Sequence, residues 1–181
     1  MVEKREPSTV NSERELPEQA VSRARAALET VMDPEVPVLS IVELGIVREV
    51  GVEPDTGAVT VTITPTYSGC PAMPVIEEEI AAALKRAGFA EVRVETVYAP
   101  AWTTDWISEP AREKLRAYGI APPGAPDPAA PVTLGPTVRV VSCPFCGSAK
   151  TRIVSEFGAT ACKSLYSCHA CRQPFEHFKA F

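Results

Sequence analysis

Apolar residues along this 181-residue chain recur with two periods, and the switches between them mark the elements. Residues 1–15 are polar and charged without any period, which predicts a disordered leader. From Pro17, the residues Ala20, Val21, Ala24, Ala27, Leu28, Val31 and Met32 fall at helical spacing, with Arg23, Arg25 and Glu29 off that face. Asp33-Pro34 stops this helix, because the residue before a proline is pushed out of the α region. Two prolines keep Asp33-Pro34-Glu35-Val36-Pro37 extended, and Ser40 is placed to cap one short turn that ends at Gly45. Residues 46–53 read as a strand and Pro54-Asp55-Thr56-Gly57 as a hairpin turn. Residues 58–64 read as the partner strand, with Val59, Val61 and Ile63 on one face.

Beyond Thr64-Pro65-Thr66-Tyr67-Ser68-Gly69-Cys70-Pro71 the helical period returns in Met73, Ile76, Ile80, Ala83, Leu84 and Ala87. Pro71 suits the first helical position, Glu77-Glu78-Glu79 suit the positive end of the helix dipole, and Gly88 suits the stop. Residues 91–99 alternate as a third strand, residues 100–106 form a loop, and Ser108-Glu109-Pro110 opens a third helix that runs to about Tyr118. Residues 121–136 hold six prolines and two glycines, the composition of a semi-rigid linker. The predicted organisation is an α+β domain over residues 16–120, with a small mixed sheet and about three helices. A linker over 121–137 and a small β module over 138–181 complete it.

Composition changes this picture little. Hydrophobic content of 45% and charged content of 23% are ordinary for a soluble domain. No apolar run approaches the ~20 residues of a membrane span, and no signal-peptide core follows Met1, so a cytoplasmic protein is expected. Charge adds an asymmetry: residues 1–138 carry 12 Lys/Arg against 21 Asp/Glu, and residues 139–181 carry 6 against 2. The acidic body argues against nucleic-acid binding by the whole chain, while the basic C-terminal piece leaves a docking role open.

Five of the six cysteines lie after residue 142, and four of them form two C-x2-C knuckles: Cys143-Pro144-Phe145-Cys146-Gly147 and Cys168-His169-Ala170-Cys171. Four thiolates so spaced can close a tetrahedral metal site, with Gly147 allowing the tight turn. In a reducing compartment the spacing points to metal rather than disulfides. A module this short lacks core enough to stand alone, and structural zinc supplies about 10 kcal/mol or more. Iron in the same four-sulfur cage is the alternative. Cys162 shares strand parity with Cys168 but lies roughly 20 Å away along an unbroken strand, so it reads as a packed thiol rather than a ligand. His169 and His177 read as solvated, and Phe175, Phe178 and Phe181 as packing over the small ribbon.

Cys70 stands apart. At a strand–helix junction it meets the unpaired N–H groups of a helix start, which predicts a lowered pKa and a thiolate able to bind metal or attack. A catalytic role wants a base within reach, and residues 1–138 contain no histidine. No phosphate loop, zinc-protease helix, GxSxG elbow or GxGxxG turn is present either. The remaining chemistry is transient metal or cluster binding, with Asp33 or Glu35 nearby, at a site that hands its cargo on or is completed by a second protein. A buried inert thiol is the bland alternative.

The motifs Asp33-Pro34-Glu35-Val36-Pro37, Leu44-Gly45-Ile46-Val47, Thr66-Tyr67-Ser68-Gly69-Cys70-Pro71 and Pro100-Ala101-Trp102 with Ser108-Glu109 resemble the metal–sulfur cluster assembly domain family. With Cys143-Pro144-Phe145-Cys146-Gly147 and the stretch from Phe157-Gly158 to Phe178-Lys179, residues 17–181 are similar to the family of D subunits of bacterial 1,2-phenylacetyl-CoA epoxidase. That resemblance implies an accessory protein of aerobic phenylacetate degradation, not the catalyst. Its partners would be the epoxidase subunits, which include a di-iron catalytic subunit and an iron–sulfur reductase. It carries Asp33 and Cys70 over as the positions of a transient iron or cluster contact, beside the metal site that the spacing of Cys143, Cys146, Cys168 and Cys171 predicts, with zinc the expected ion. Two readings follow: a maturation factor, or an adaptor that docks through the ribbon and aromatic tail.

Overall fold

A computed structural model describes residues 16–124 and 141–180, so the expected leader and most of the expected linker lie outside the described residues. The first helix, α1 (Pro17–Leu28), buries Ala20, Ala24 and Leu28 and carries a proline in its first turn. It ends four residues before Met32: the Thr30 and Val31 N–H groups bond the Ala27 and Leu28 carbonyls, and Val31 reaches the core from a turn.

Residues 31–45 form a loop that buries Val36, Leu39, Ile41 and Leu44 in the main core. Asp33 Oδ1 accepts the N–H groups of Glu35 and Val36 at 2.8 and 2.7 Å, and the Asp33 N–H bonds the Leu39 carbonyl. The expected turn over 40–45 is closed by a reciprocal capping box. Ser40 Oγ accepts from Glu43 N and Glu43 Oε2 accepts from Ser40 N, both at 3.1 Å.

The hairpin follows as β1 (Val47–Val52) and β2 (Val59–Ile63), antiparallel, with Val59, Val61 and Ile63 facing the core. From β2 the chain passes through Cys70 into α2 (Met73–Arg86) and returns in β3 (Val92–Thr96), parallel to β2. The three-stranded sheet has the order β1-β2-β3, and α1 and α2 pack on it and on each other. A 3-10 turn (Thr104–Trp106) leads to α3 (Glu109–Tyr118), capped by Ser108 and stopped by Gly119 in the left-handed region. No helix among the described residues is long and apolar enough to cross a membrane.

The C-terminal part is a second mixed sheet. The strands β4 (Ile120–Ala121), β5 (Thr151–Ser155), β6 (Lys163–Cys168) and β7 (Pro174–Phe178) lie in the order β4-β7-β6-β5. The fold class is therefore α+β with a small β module, as expected, but the two parts are not merely tethered. Residue 121, the expected start of the linker, is buried in β4, which pairs in parallel with β7. Phe178 is fully buried in the core of the first part, 5.9 Å from the Trp102 ring, and Phe175 packs in the smaller core with Tyr166. Phe175 and Phe178 thus split between two cores instead of lying over one, and Phe181 lies outside the described residues. Lys163 spans the seam: its Nζ donates to the Glu35 carbonyl at 3.1 Å and meets Glu176 Oε2 at 2.8 Å.

Candidate metal centres

The two knuckles are built alike. In each, the residue after the second cysteine returns its N–H to the carbonyl of the first: Gly147 to Cys143 at 2.9 Å, Arg172 to Cys168 at 3.0 Å. Both residues sit in the left-handed region, at φ +71 and +63. The first cysteine of each pair then bonds the next carbonyl on, Cys143 N to Ser148 O and Cys168 N to Gln173 O, both at 3.0 Å. Pairing of β5 with β6, which sets Thr151 opposite Cys168, brings the knuckles together, and all four Sγ atoms lie within 4.8 Å of one another. The pairs Cys143–Cys171 and Cys146–Cys168 are 3.7 and 3.6 Å apart. A tetrahedron of ~2.3 Å Zn–S bonds has edges of about 3.8 Å, so the donor set fits a four-thiolate metal. The N–H of Cys171, then that of Ala170, bond the Cys168 sulfur and hold its pKa down at about 6, against burial. Cys162 is not a member of this group.

Cys70 lies where β2 leaves the sheet, at the carboxyl end of the parallel pair β2–β3, where open sheets place their ligand crevices. The helix it was expected to open begins later. Cys70 and Pro71 belong to turns, α2 starts at Met73, and Pro74, not Pro71, is the first-turn proline. Glu77-Glu78-Glu79 fall beyond the first turn, which holds no acid. The Cys70 thiol is half-buried, and its pKa is raised, not lowered. Burial is the main cause; the Ala72 N–H pulls the other way, and the charges of Glu35 and Asp33 push it up again. One backbone donor does not outweigh desolvation plus two carboxylates.

Asp33 and Cys70 are close enough for their charges to interact, but the Asp33 carboxylate is committed to its loop and 4% exposed. Burial raises its pKa despite the Val36 and Glu35 N–H groups. Tyr67 donates its hydroxyl to the Cys70 sulfur; burial first, then the charge of Glu35, pushes the phenol up to about 12. Cys162, expected as a packed thiol, is buried just ahead of β6, but at the seam beside this turn. Its Sγ donates to Glu35 Oε2 at 3.5 Å and lies 3.0 Å from Thr160 Oγ1. No period reveals which face of a ribbon meets another domain, so the odd thiol count was the only sign of this contact in the sequence. His177 is buried rather than solvated, 3.3 Å from Ser164 Oγ, and His169 is exposed.

Comparison with known proteins assigns the two parts. A family model described as iron-sulfur cluster assembly protein matches residues 22–97, and one described as PaaD zinc beta ribbon domain matches residues 127–179. Over 154 residues, 85% of this chain and 89% of the relative, the chain is 49% identical to the protein provisionally named as the D subunit of 1,2-phenylacetyl-CoA epoxidase in Escherichia coli (strain K12). It is 43% identical to the Fe-S protein maturation auxiliary factor YitW of Bacillus subtilis (strain 168), over 49% of this chain and 86% of that one. A crystal structure of a domain of unknown function, DUF59, from Bacillus anthracis superposes with a TM-score of 0.51 at 30% identity, covering 55% of this chain and 93% of the other. With a cluster-assembly domain and a zinc ribbon joined in one fold, and near-full-length similarity to the Escherichia coli protein, the chain belongs to the family of phenylacetyl-CoA epoxidase D subunits.

Proposed function

We propose that this protein is an accessory maturation factor of a phenylacetyl-CoA epoxidase, delivering iron or an iron–sulfur cluster to a metal-bearing component of that complex. The observation that carries the reading is a half-buried Cys70 thiol, beside Asp33 and Glu35, separate from the four-cysteine centre. The relatives named as Fe-S maturation auxiliary factors share the domain that holds it, which supports the same role here. In this reading Cys143, Cys146, Cys168 and Cys171 hold a structural zinc that does not turn over. Cys70 makes the transient contact with the cargo. Asp33 acts through the loop, tying the backbone of Glu35, whose charge acts on the thiol.

A sulfur ligand that must release its cargo benefits from a raised pKa, because protonation competes with the metal and weakens the bond. A sparse donor set beside a protonated thiol suits transfer better than storage. Purifying the epoxidase from cells carrying Cys70→Ala tests this. The expected outcome is a complex that assembles but carries at least ~10-fold less iron in the client component, taking the 10–100-fold scale of altered metal sites. Full metal loading in that variant would sink the reading and leave a docking adaptor in its place.

A further inference from the structure

Each of the two sheets has two outer strands, and the open side of an outer strand offers unpaired N–H and C=O groups to any extended chain that reaches it. Three of these four strands are guarded. The strands β1 and β3 carry exposed charges of both signs, Arg48 with Glu49 and Arg93 with Glu95, and no exposed large apolar side chain within the strand. Both residues of β4 are buried. The fourth, β5, differs. Among the described residues it pairs only with β6, yet Ile153 and Val154 within it are 42% and 50% exposed. Phe157, just past its end, is 64% exposed. Phe175 and Phe178 are taken up by the two cores, so the exposed apolar side chains of the ribbon sheet gather at β5.

Charge selects what fits there. Lys150 and Arg152 are exposed, and neither pairs with an acid among the described residues. Lys179 Nζ lies 4.4 Å from the centroid of the Phe157 ring. Of the two acids after residue 138, Glu176 meets Lys163 at 2.8 Å, which leaves Glu156 against these three cations. Charges on an edge also keep like edges apart, and the register shift between Ile153 and Ser155 twists the strand to the same effect. That purpose does not account for two β-branched side chains and a phenylalanine left in water among the charges, where polar residues would guard the edge better.

We propose that the open side of β5 is a docking site for an acidic, extended segment of a partner protein, which adds a strand to the ribbon sheet. The backbone of that segment pairs with Thr151–Ser155, its carboxylates meet Lys150 and Arg152, and its apolar residues cover Ile153, Val154 and Phe157. Aliphatic side chains have no counterpart on a stacked base or a phosphate, so the cations here serve a protein rather than a nucleic acid. A second copy of β5 would bring the same cations to one edge, which opposes self-pairing. The site makes no use of Cys70, so it goes beyond the cargo reading and stands or falls apart from it.

The full chain, isotope-labelled and with zinc in the ribbon, is titrated at low salt with an eight-residue capped peptide alternating glutamate and valine, and with its lysine–valine counterpart. Only the glutamate peptide is expected to bind, with amide shifts confined to residues 150–157, slower hydrogen exchange of the outward β5 amides, and weakening by added salt. Lys150→Glu combined with Arg152→Glu should weaken binding at least ~10-fold, whereas Cys70→Ala should bind as the wild type does. The salt dependence needs no variant and decides the charge argument if the double substitution disturbs folding. Absence of binding, equal binding of the lysine peptide, or shifts away from β5 overturns the proposal. Slow exchange of the outward β5 amides before any peptide is added also overturns it, because the chain then covers its own edge. A dimer joined at β5, or equal β5 shifts with an oligothymidylate, overturns it in favour of a second copy or a nucleic acid.

Discussion

At the scale of single residues, Cys70 shows how weak a helix start is against its surroundings. The Ala72 N–H favours the thiolate, but burial and the charges of Glu35 and Asp33 favour the thiol, and they win. The sign has a direct consequence. A thiol whose folded pKa lies above its ordinary 9.0 carries less thiolate than a free cysteine at every pH below that value. With the ribbon metal in place, iodoacetamide should therefore modify Cys70 more slowly than free cysteine at pH 7.5, and its rate should keep rising past pH 9. A rate that levels off below pH 8 would mean an activated thiol, contrary to this structure. Burial likewise raises the Asp33 pKa, although the two N–H groups bonded to its oxygen pull it the other way.

Among the elements, the knuckles are the most regular. Gly147 and Arg172 occupy equivalent left-handed positions, yet only one of them is glycine. Nothing lies within 4 Å of a Cβ built on Gly147, so Gly147→Ala meets only the backbone penalty, about 1–2 kcal/mol. Arg172→Gly removes that penalty but loosens the unfolded chain by roughly 0.5–1 kcal/mol, leaving stability close to unchanged or slightly raised. Chemical unfolding of the metal-bound protein checks both; a destabilising Arg172→Gly would show that its side chain matters more than its φ. Elements governed by local period were legible in the sequence: β1, β2, α2 and α3 lie within two residues or so of their expected bounds, and the Ser40 turn and the Ser108 cap formed as read. The four knuckle cysteines were legible too, because their spacing is local. The side on which the ribbon packs, and hence the neighbourhood of Cys162, was not. Both depend on contacts such as Trp102–Phe178 and Lys163–Glu35, between residues far apart in the chain, which leave no period to read.

At the scale of the whole molecule, the larger core is shared between the first part and the ribbon, while the ribbon keeps a smaller core of its own. Phe178 leaves the ribbon to fill the first part, and truncation of a buried phenylalanine costs about 3–5 kcal/mol. Stripping the ribbon metal should thus disturb both parts: β6 and β7 lose their clamp, Phe178 withdraws, and Trp102, 4% exposed, gains water. A red shift of tryptophan emission in step with metal release is expected; emission unchanged by full release would mean that the shared core holds without metal. The short strand β4 sharpens the same point. It follows α3 directly in the chain yet is hydrogen-bonded to β7 at the far end. Its consequence concerns where this protein can be divided. A cut between residues 124 and 141 yields two fragments that retain every strand of the shared sheet and can complement one another. A cut before residue 120 takes Ile120 from the core of the first fragment and gives a second whose β7 edge depends on a two-residue N-terminal end to stay covered, an opening for strand-to-strand aggregation. The strand β4 therefore belongs with the sheet it joins rather than with a tether that starts at the end of the last helix.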